Sequence, residues 1–139
     1  MAQTVKKVWG TEVIVVNNEN GDYCRKYLFI DPGMQCSLHY HPVKEEEFLV
    51  IEGECFIQTS LVADAEPKVF RKGDSRWIPP GLPHRFASLT GAVLVEESTF
   101  HDDADVVRLE PSGEIAGVPK VNVLAAGQTS TPTSESGHS

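Results

Sequence analysis

The chain has 139 residues, the size of one domain built around one core. Twenty acidic against twelve basic residues give a formal charge of −8, which argues against nucleic acid or an anionic membrane surface as the main partner. No apolar run approaches the length of a membrane span, and the 40% hydrophobic and 23% charged content is ordinary for a globular domain in water.

The opening "MAQTVKKVWG" has two lysines with no apolar run after them, so no secretory signal is expected and the location implied is cytoplasmic. Short β-type runs then follow one another between Gly, Pro and Asp turns. They fall at 12–17, 23–30, 36–41, 47–53, 55–60, 68–72, 75–80, 84–89 and 92–98. "VIEGECFI" reads as a hairpin with Glu52-Gly53 at its turn, and 102–112 as a final edge strand. No segment has helical periodicity. Many short strands at regular spacing predict an all-β antiparallel sandwich or barrel over residues 1–116. From 117 to 139 the composition turns polar and Ser/Thr-rich, predicting a disordered tail in which His138 has no role. Cys24, Cys36 and Cys55 are odd in number and form no CxxC, so they read as small buried hydrophobes in a reducing compartment.

Chemistry concentrates in "GMQCSLHYHPVKEEEFLVIEG", Gly33 to Gly53. On a strand, His39 and His41 point the same way and Tyr40 the other. Glu45, Glu46 and Glu47 begin the next strand, where only one or two can face inward. His84, just after the Pro79-Pro80-Gly81 turn, is a fourth candidate. Neutral imidazoles with a carboxylate suit a divalent ion such as Mn, Fe, Co, Ni or Zn, and the lack of thiolate at these positions argues against a closed structural zinc site.

The spacing has two blocks. The first runs Gly33, five residues, His39, one residue, His41, four residues, Glu46, six residues, Gly53. The second runs Gly73, five residues, Pro79, one residue, Gly81, two residues, His84. Together they resemble the two motifs of the cupin superfamily, with Ser88 where an asparagine usually closes the second. The resemblance implies a single jelly-roll-like β-barrel domain holding a divalent metal, manganese first, on His39, His41, Glu46 and His84. It selects Glu46 because six residues separate it from Gly53; inward Glu46, Phe48 and Val50 would make the same choice by periodicity. Glu45 is the runner-up.

Over residues 6–112 the chain also resembles the cupin domain of bacterial mannose-6-phosphate isomerases and small D-lyxose-type sugar isomerases. Trp9-Gly10-x-Glu12, Ser37-Leu38, Pro83-His84-Arg85 and Asp105-Val106-Val107-Arg108 carry that likeness. It implies aldose–ketose isomerisation through an enediolate, with metal polarisation and a base beside it. The late strand offers Glu96 as that base, with Glu97 as a substrate-binding neighbour. Lys44, in the loop between ligands, could fold over the metal, and Arg76 and Arg85 could grip substrate. Arg85 should alternate away from His84, however, which makes a structural salt bridge its competing role. His101 could cap the pocket mouth. Tyr27, Phe48, Phe56, Trp77 and Phe86 read as core or dimer-interface aromatics. Overall acidity and the lack of a Gly-rich phosphate loop favour an unphosphorylated sugar such as D-lyxose or D-mannose. An Fe(II) dioxygenase and a non-catalytic metal- or sugar-binding cupin are the rival readings; a metal-free epimerase would need a His–Asp acid/base pair instead. The resemblance further implies a homodimer, as exposed sheet edges allow.

Overall fold

Alternating polar and apolar side chains with β-branched and aromatic residues favour extended chain, and the structure, a computed structural model, contains no helix among the residues it describes, 2–61 and 68–116. The tail from 117 onward lies outside them. Thirteen strands are present among the described residues: β1 Gln3–Lys7, β2 Gly10–Asn18, β3 Tyr23–Ile30, β4 Met34–Gln35, β5 Leu38–Tyr40, β6 Glu46–Gly53, β7 Cys55–Gln58, β8 Val69–Phe70, β9 Ser75–Ile78, β10 Arg85–Ser88, β11 Ala92–Ser98, β12 Val107–Glu110 and β13 Gly113–Glu114. A six-stranded sheet runs β1-β2-β3-β11-β6-β9 and a five-stranded sheet β13-β4-β10-β7-β8, with β12-β5 as a third ladder. All pairings are antiparallel.

One expectation is corrected here, and one strand is added. The β6–β7 segment is not a hairpin: β6 pairs with β11 and β9, whereas β7 pairs with β10 and β8. The chain changes sheets at Gly53, whose φ of 79° is open to glycine, and a Cβ there would lie 2.3 Å from the Gly91 carbonyl oxygen. Moreover, β1 pairs with β2 from Gln3↔Ile14 to Lys7↔Gly10, a strand that the polar segment "QTVKK" did not announce.

The inward faces of β3, β11 and β6 are in register, and their character changes along the strands. At one level Leu28, Leu94 and Val50 align; one pair further on come Lys26, Glu96 and Phe48, then Cys24, Ser98 and Glu46. The apolar levels join Trp9, Ile57, Phe70, Ile78 and Phe86 in one core, where Trp9 meets Phe86 edge to face at 4.9 Å. The charged levels sit at the other end, so a single sandwich has a dry half and a polar half. All three cysteines are free and buried, and Cys36 and Cys55 have thiols pushed up to about 12 by burial.

Candidate metal centre

Three backbone hydrogen bonds bring the histidines together. His39 and His84 exchange N–H···O bonds of 3.1 and 2.8 Å, and Gly81 N–H donates to the His41 carbonyl at 2.8 Å. The Pro-Gly turn segment is thereby laid along β5. One nitrogen each from His39, His41 and His84 lies within 4.8 Å of the others.

Their tautomers follow from what the second ring nitrogen meets. His39 Nδ1 lies 2.9 Å from the Ser37 carbonyl oxygen, His41 Nδ1 2.7 Å from that of Asp105, and His84 Nδ1 2.9 Å from that of Leu82. A carbonyl only accepts, so each Nδ1 carries a proton, and in the neutral ring Nε2 then presents a lone pair. Burial, followed by the charges of His84 and His41, pushes His39 down to about 2; burial also lowers His41. His39 and His41 are thus neutral, the form that ligates metal.

Glu46 completes the set from β6, which buries Glu46, Phe48 and Val50 and exposes Glu47 and Leu49. Its Oε2 lies 2.7 Å from His84 Nε2 and 3.5 Å from His41 Nε2. Glu46 Oε2 and His84 Nε2 are both buried without a hydrogen-bond partner among the described residues. Two electron-rich atoms this close require positive charge between them, either a shared proton or a cation, and a divalent cation with nitrogen and oxygen ligands fits that need. Glu45, by contrast, is exposed and accepts a 2.9 Å bond from Trp77 Nε1.

Beside the triad lies a buried ion cluster. Lys44 is 3% exposed, with Nζ 3.0 Å from Glu96 Oε2 and 3.4 Å from Glu46 Oε1. It also donates to His101 Nδ1 at 3.0 Å, and His101 Nε2 donates in turn to Asp103 Oδ1 at 2.8 Å. Burial alone would lower the Lys44 ammonium, but Glu96 and Glu46 outweigh it and the net direction is up. Burial would likewise raise Glu96, but Lys44 and then Lys26 hold its carboxyl well below the usual range. Glu96 is therefore an ionised carboxylate in the same cavity as the triad. That cavity measures about 420 Å³, within the range of small-molecule sites, and Phe48, Phe86, Trp9 and Leu28 form its apolar floor.

The structure brings together six of the nine expected site residues: His39, His41, Glu46, His84, Lys44 and Glu96. The three assigned to substrate line no part of the cavity. Glu97 alternates to the outer face of β11 and accepts bonds from Tyr23 Oη and Arg25 Nη1 at 2.9 and 3.0 Å. Arg85 is buried but points away from His84, donating to the Cys36 carbonyl at 2.9 Å, Glu110 Oε1 at 3.0 Å and the Pro111 carbonyl at 2.9 Å. It is the structural brace that strand alternation suggested. Arg76 stands opposite Phe48 on β9, the outermost strand of its sheet, with its Nε buried, and does not line the cavity.

Asp105 was not anticipated as a site residue. Its carbonyl orients His41, while its carboxylate accepts from Val43 N–H at 2.9 Å and Lys44 N–H at 2.8 Å, closing the ligand loop. The available signal was its place at the head of the Asp105-Val106-Val107-Arg108 motif. Ser37, likewise within a quoted motif, supplies the carbonyl that fixes His39.

Comparison with known proteins agrees with this architecture. The cupin domain family matches residues 27–96. The uncharacterized protein YdbB of Bacillus subtilis (strain 168) is 36% identical over 93 residues, covering 67% of this chain and 76% of YdbB. Among solved structures, the capsular polysaccharide assembling protein CapF from Staphylococcus aureus superposes with a TM-score of 0.64 at 21% identity, over 79% of this chain and 32% of CapF. Oxalate decarboxylase from Bacillus subtilis gives a TM-score of 0.64 at 20% identity, over 92% of this chain and 35% of the decarboxylase. The chain thus spans about a third of each of these two larger proteins, and the likeness to them is one of fold.

Proposed function

The chain belongs to the cupin domain family, and from that premise we propose that it is a metal-dependent isomerase that interconverts an aldose and a ketose. His39, His41, His84 and Glu46 would hold a divalent ion, with manganese our first choice and Fe, Co, Ni and Zn to be tried beside it. Such an ion supplies Lewis acidity toward a carbonyl and its neighbouring hydroxyl.

The observation that carries this reading is the ionised Glu96 held beside the triad by Lys44. As general base, Glu96 takes the proton from C2 and returns it at C1, while a hydroxyl proton passes from O2 to O1, so the two sugars have the same atoms. Lys44 keeps Glu96 ionised in a buried site and places positive charge beside the oxygens that gain electron density. Phe48 and Phe86 on the cavity floor exclude water from that exchange.

The test is proton NMR in D2O with the Mn(II)-loaded chain and D-lyxose, D-xylulose, D-mannose, D-fructose and mannose 6-phosphate. Conversion, or deuterium at C2, that disappears in Glu96→Gln supports the reading. A folded, metal-loaded protein that leaves every sugar unchanged removes it. Turnover that requires both Fe(II) and air would instead establish oxygen chemistry at the same ligands.

We also propose a homodimer in the cytoplasm. Three unpaired thiols suit a reducing compartment. The outer face of the six-stranded sheet carries exposed Phe29, Leu49 and Trp77, apolar surface that a second copy would cover.

A further inference from the structure

The overall acidity of the chain does not extend to its cavity. Five of the twelve basic residues line it: Lys6, Lys7, Lys26, Lys44 and Arg108. Four carboxylates face them, and these are already engaged. Glu12 Oε2 lies 3.4 Å from Lys26 Nζ, Glu96 and Glu46 flank Lys44, and Asp103 accepts from His101. A divalent ion on the triad would add two further positive charges.

Two of these cations come from different sheets. Lys7 ends β1 on the same strand face as Val5, which also lines the cavity, and makes no ion pair with a described residue. Arg108 is the register partner of His39 across β12 and β5, so its side chain leaves the ladder on the face that carries the ligand. A guanidinium has five donors in a fixed fork, which leaves room for a ligand beside any partner it already holds.

We propose that the cavity takes a small molecule with an anionic group, carboxylate or phosphate, clasped between Lys7 and Arg108 while its carbonyl and hydroxyl face the histidine triad. This rests on the metal-site reading above and narrows its substrate class from a neutral sugar to an acidic one. With five cationic side chains against four carboxylates in its lining, a concave site attracts an anion more strongly than the same groups on an open surface.

Isothermal titration of the Mn(II)-loaded full chain with D-mannose, D-mannuronate and D-mannose 6-phosphate tests the proposal. At least one anion should bind about ten-fold or more tightly than mannose, with an advantage that shrinks as salt rises. The two anionic arms separate carboxylate from phosphate. In Lys7→Gln/Arg108→Gln the advantage should fall to within about three-fold while mannose affinity stays level. Should the double variant fold poorly, Lys7→Gln alone, on the edge strand, carries the test. Mannose binding as tightly as both anions overturns the proposal, as does an anion advantage that survives the substitutions or the absence of binding by all three. NMR of the same samples in D2O keeps the two readings apart: anion-selective binding without C2 exchange sustains the subsite and sinks the isomerase, and exchange without anion preference does the reverse.

Discussion

Lys44→Met tests the polar half of the sandwich directly. The substitution keeps most of the side-chain volume and removes the ammonium that stands 3.0 Å from Glu96 Oε2 and 3.4 Å from Glu46 Oε1. At an effective dielectric of about 20 each of these attractions is about 5 kcal/mol before desolvation. Burying three charged groups offsets much of that, but removing only the cation leaves two carboxylates uncompensated, which typically costs about 3–5 kcal/mol. That is a large share of the roughly 5–15 kcal/mol that holds a domain folded. Urea unfolding of the metal-free protein at pH 7 should show this loss, and saturating Mn(II) should recover part of it by binding Glu46 in place of the missing charge. The pH dependence has a definite sign. In the wild type Glu96 is depressed, so its contribution is present above the unfolded value near 4.5 and fades as pH falls through the folded one. The variant loses the chief cause of that depression, so the stability gap should narrow between pH 7 and 4. A gap below about 1 kcal/mol at pH 7, unchanged by metal and pH, would refute the buried-cluster account.

Three further outcomes follow. His84→Ala should lower Mn(II) occupancy, measured by elemental analysis after gel filtration, from about one ion per chain to below about a tenth, since it removes one ligand and releases Glu46. For the metal-free protein in EDTA, chemical denaturation between pH 7 and 5 should show stability falling with pH. His39 and His41 are depressed in the fold, so below about 6.5 the unfolded chain binds protons that the native one refuses, at up to about 1.4 kcal/mol per pH unit for each ring. Arg85→Met should lower stability by about 2 kcal/mol through loss of its bonds to Cys36 and Pro111, yet leave ligand affinity per folded molecule unchanged. A selective loss of affinity would restore Arg85 to the binding site.

What was legible in the sequence was whatever depends on strand alternation within one element. That rule separated His39 and His41 from Tyr40, chose Glu46 once Phe48 and Val50 were taken as inward, and warned that Arg85 would leave His84. It failed where the deciding contact lay in another sheet. The Glu-Gly at 52–53 looks like a hairpin turn because local chemistry reports a change of direction and not which neighbour the next strand will find; Gly53 is packed against the Gly91 carbonyl while the chain crosses to the opposite sheet. Strand β1 escaped notice because an edge strand facing water needs few apolar residues, and its lysines suit such an edge. The partner of Lys44 is not legible from its loop, since nothing nearby in sequence reveals that Glu96, fifty-two positions away, lies beside it. Glu96 and Glu97 could not be ranked by pattern alone, because a one-residue shift in register exchanges them.

The polar half of the sandwich also explains why its ligands are so firmly placed. Each histidine is fixed twice, by a backbone bond in the β5 ladder or its flanks and by an Nδ1–H···O=C bond, before any ion is considered. Of the three buried side-chain atoms without a hydrogen-bond partner among the described residues, two converge at the centre, Glu46 Oε2 and His84 Nε2, and the third is Arg76 Nε. Rigid surroundings with an unsatisfied centre mean that the native state holds back free energy only an added cation can release, so metal binding and stability are linked. Lys44 limits that linkage. It already neutralises part of Glu46, which lowers the cost of burying that carboxylate without a metal, and it leaves Glu96 ionised in the same cavity. On the proposed reading one buried lysine would tie folding without metal to proton transfer with it, which is why its removal discriminates between accounts of this site better than removal of any ligand.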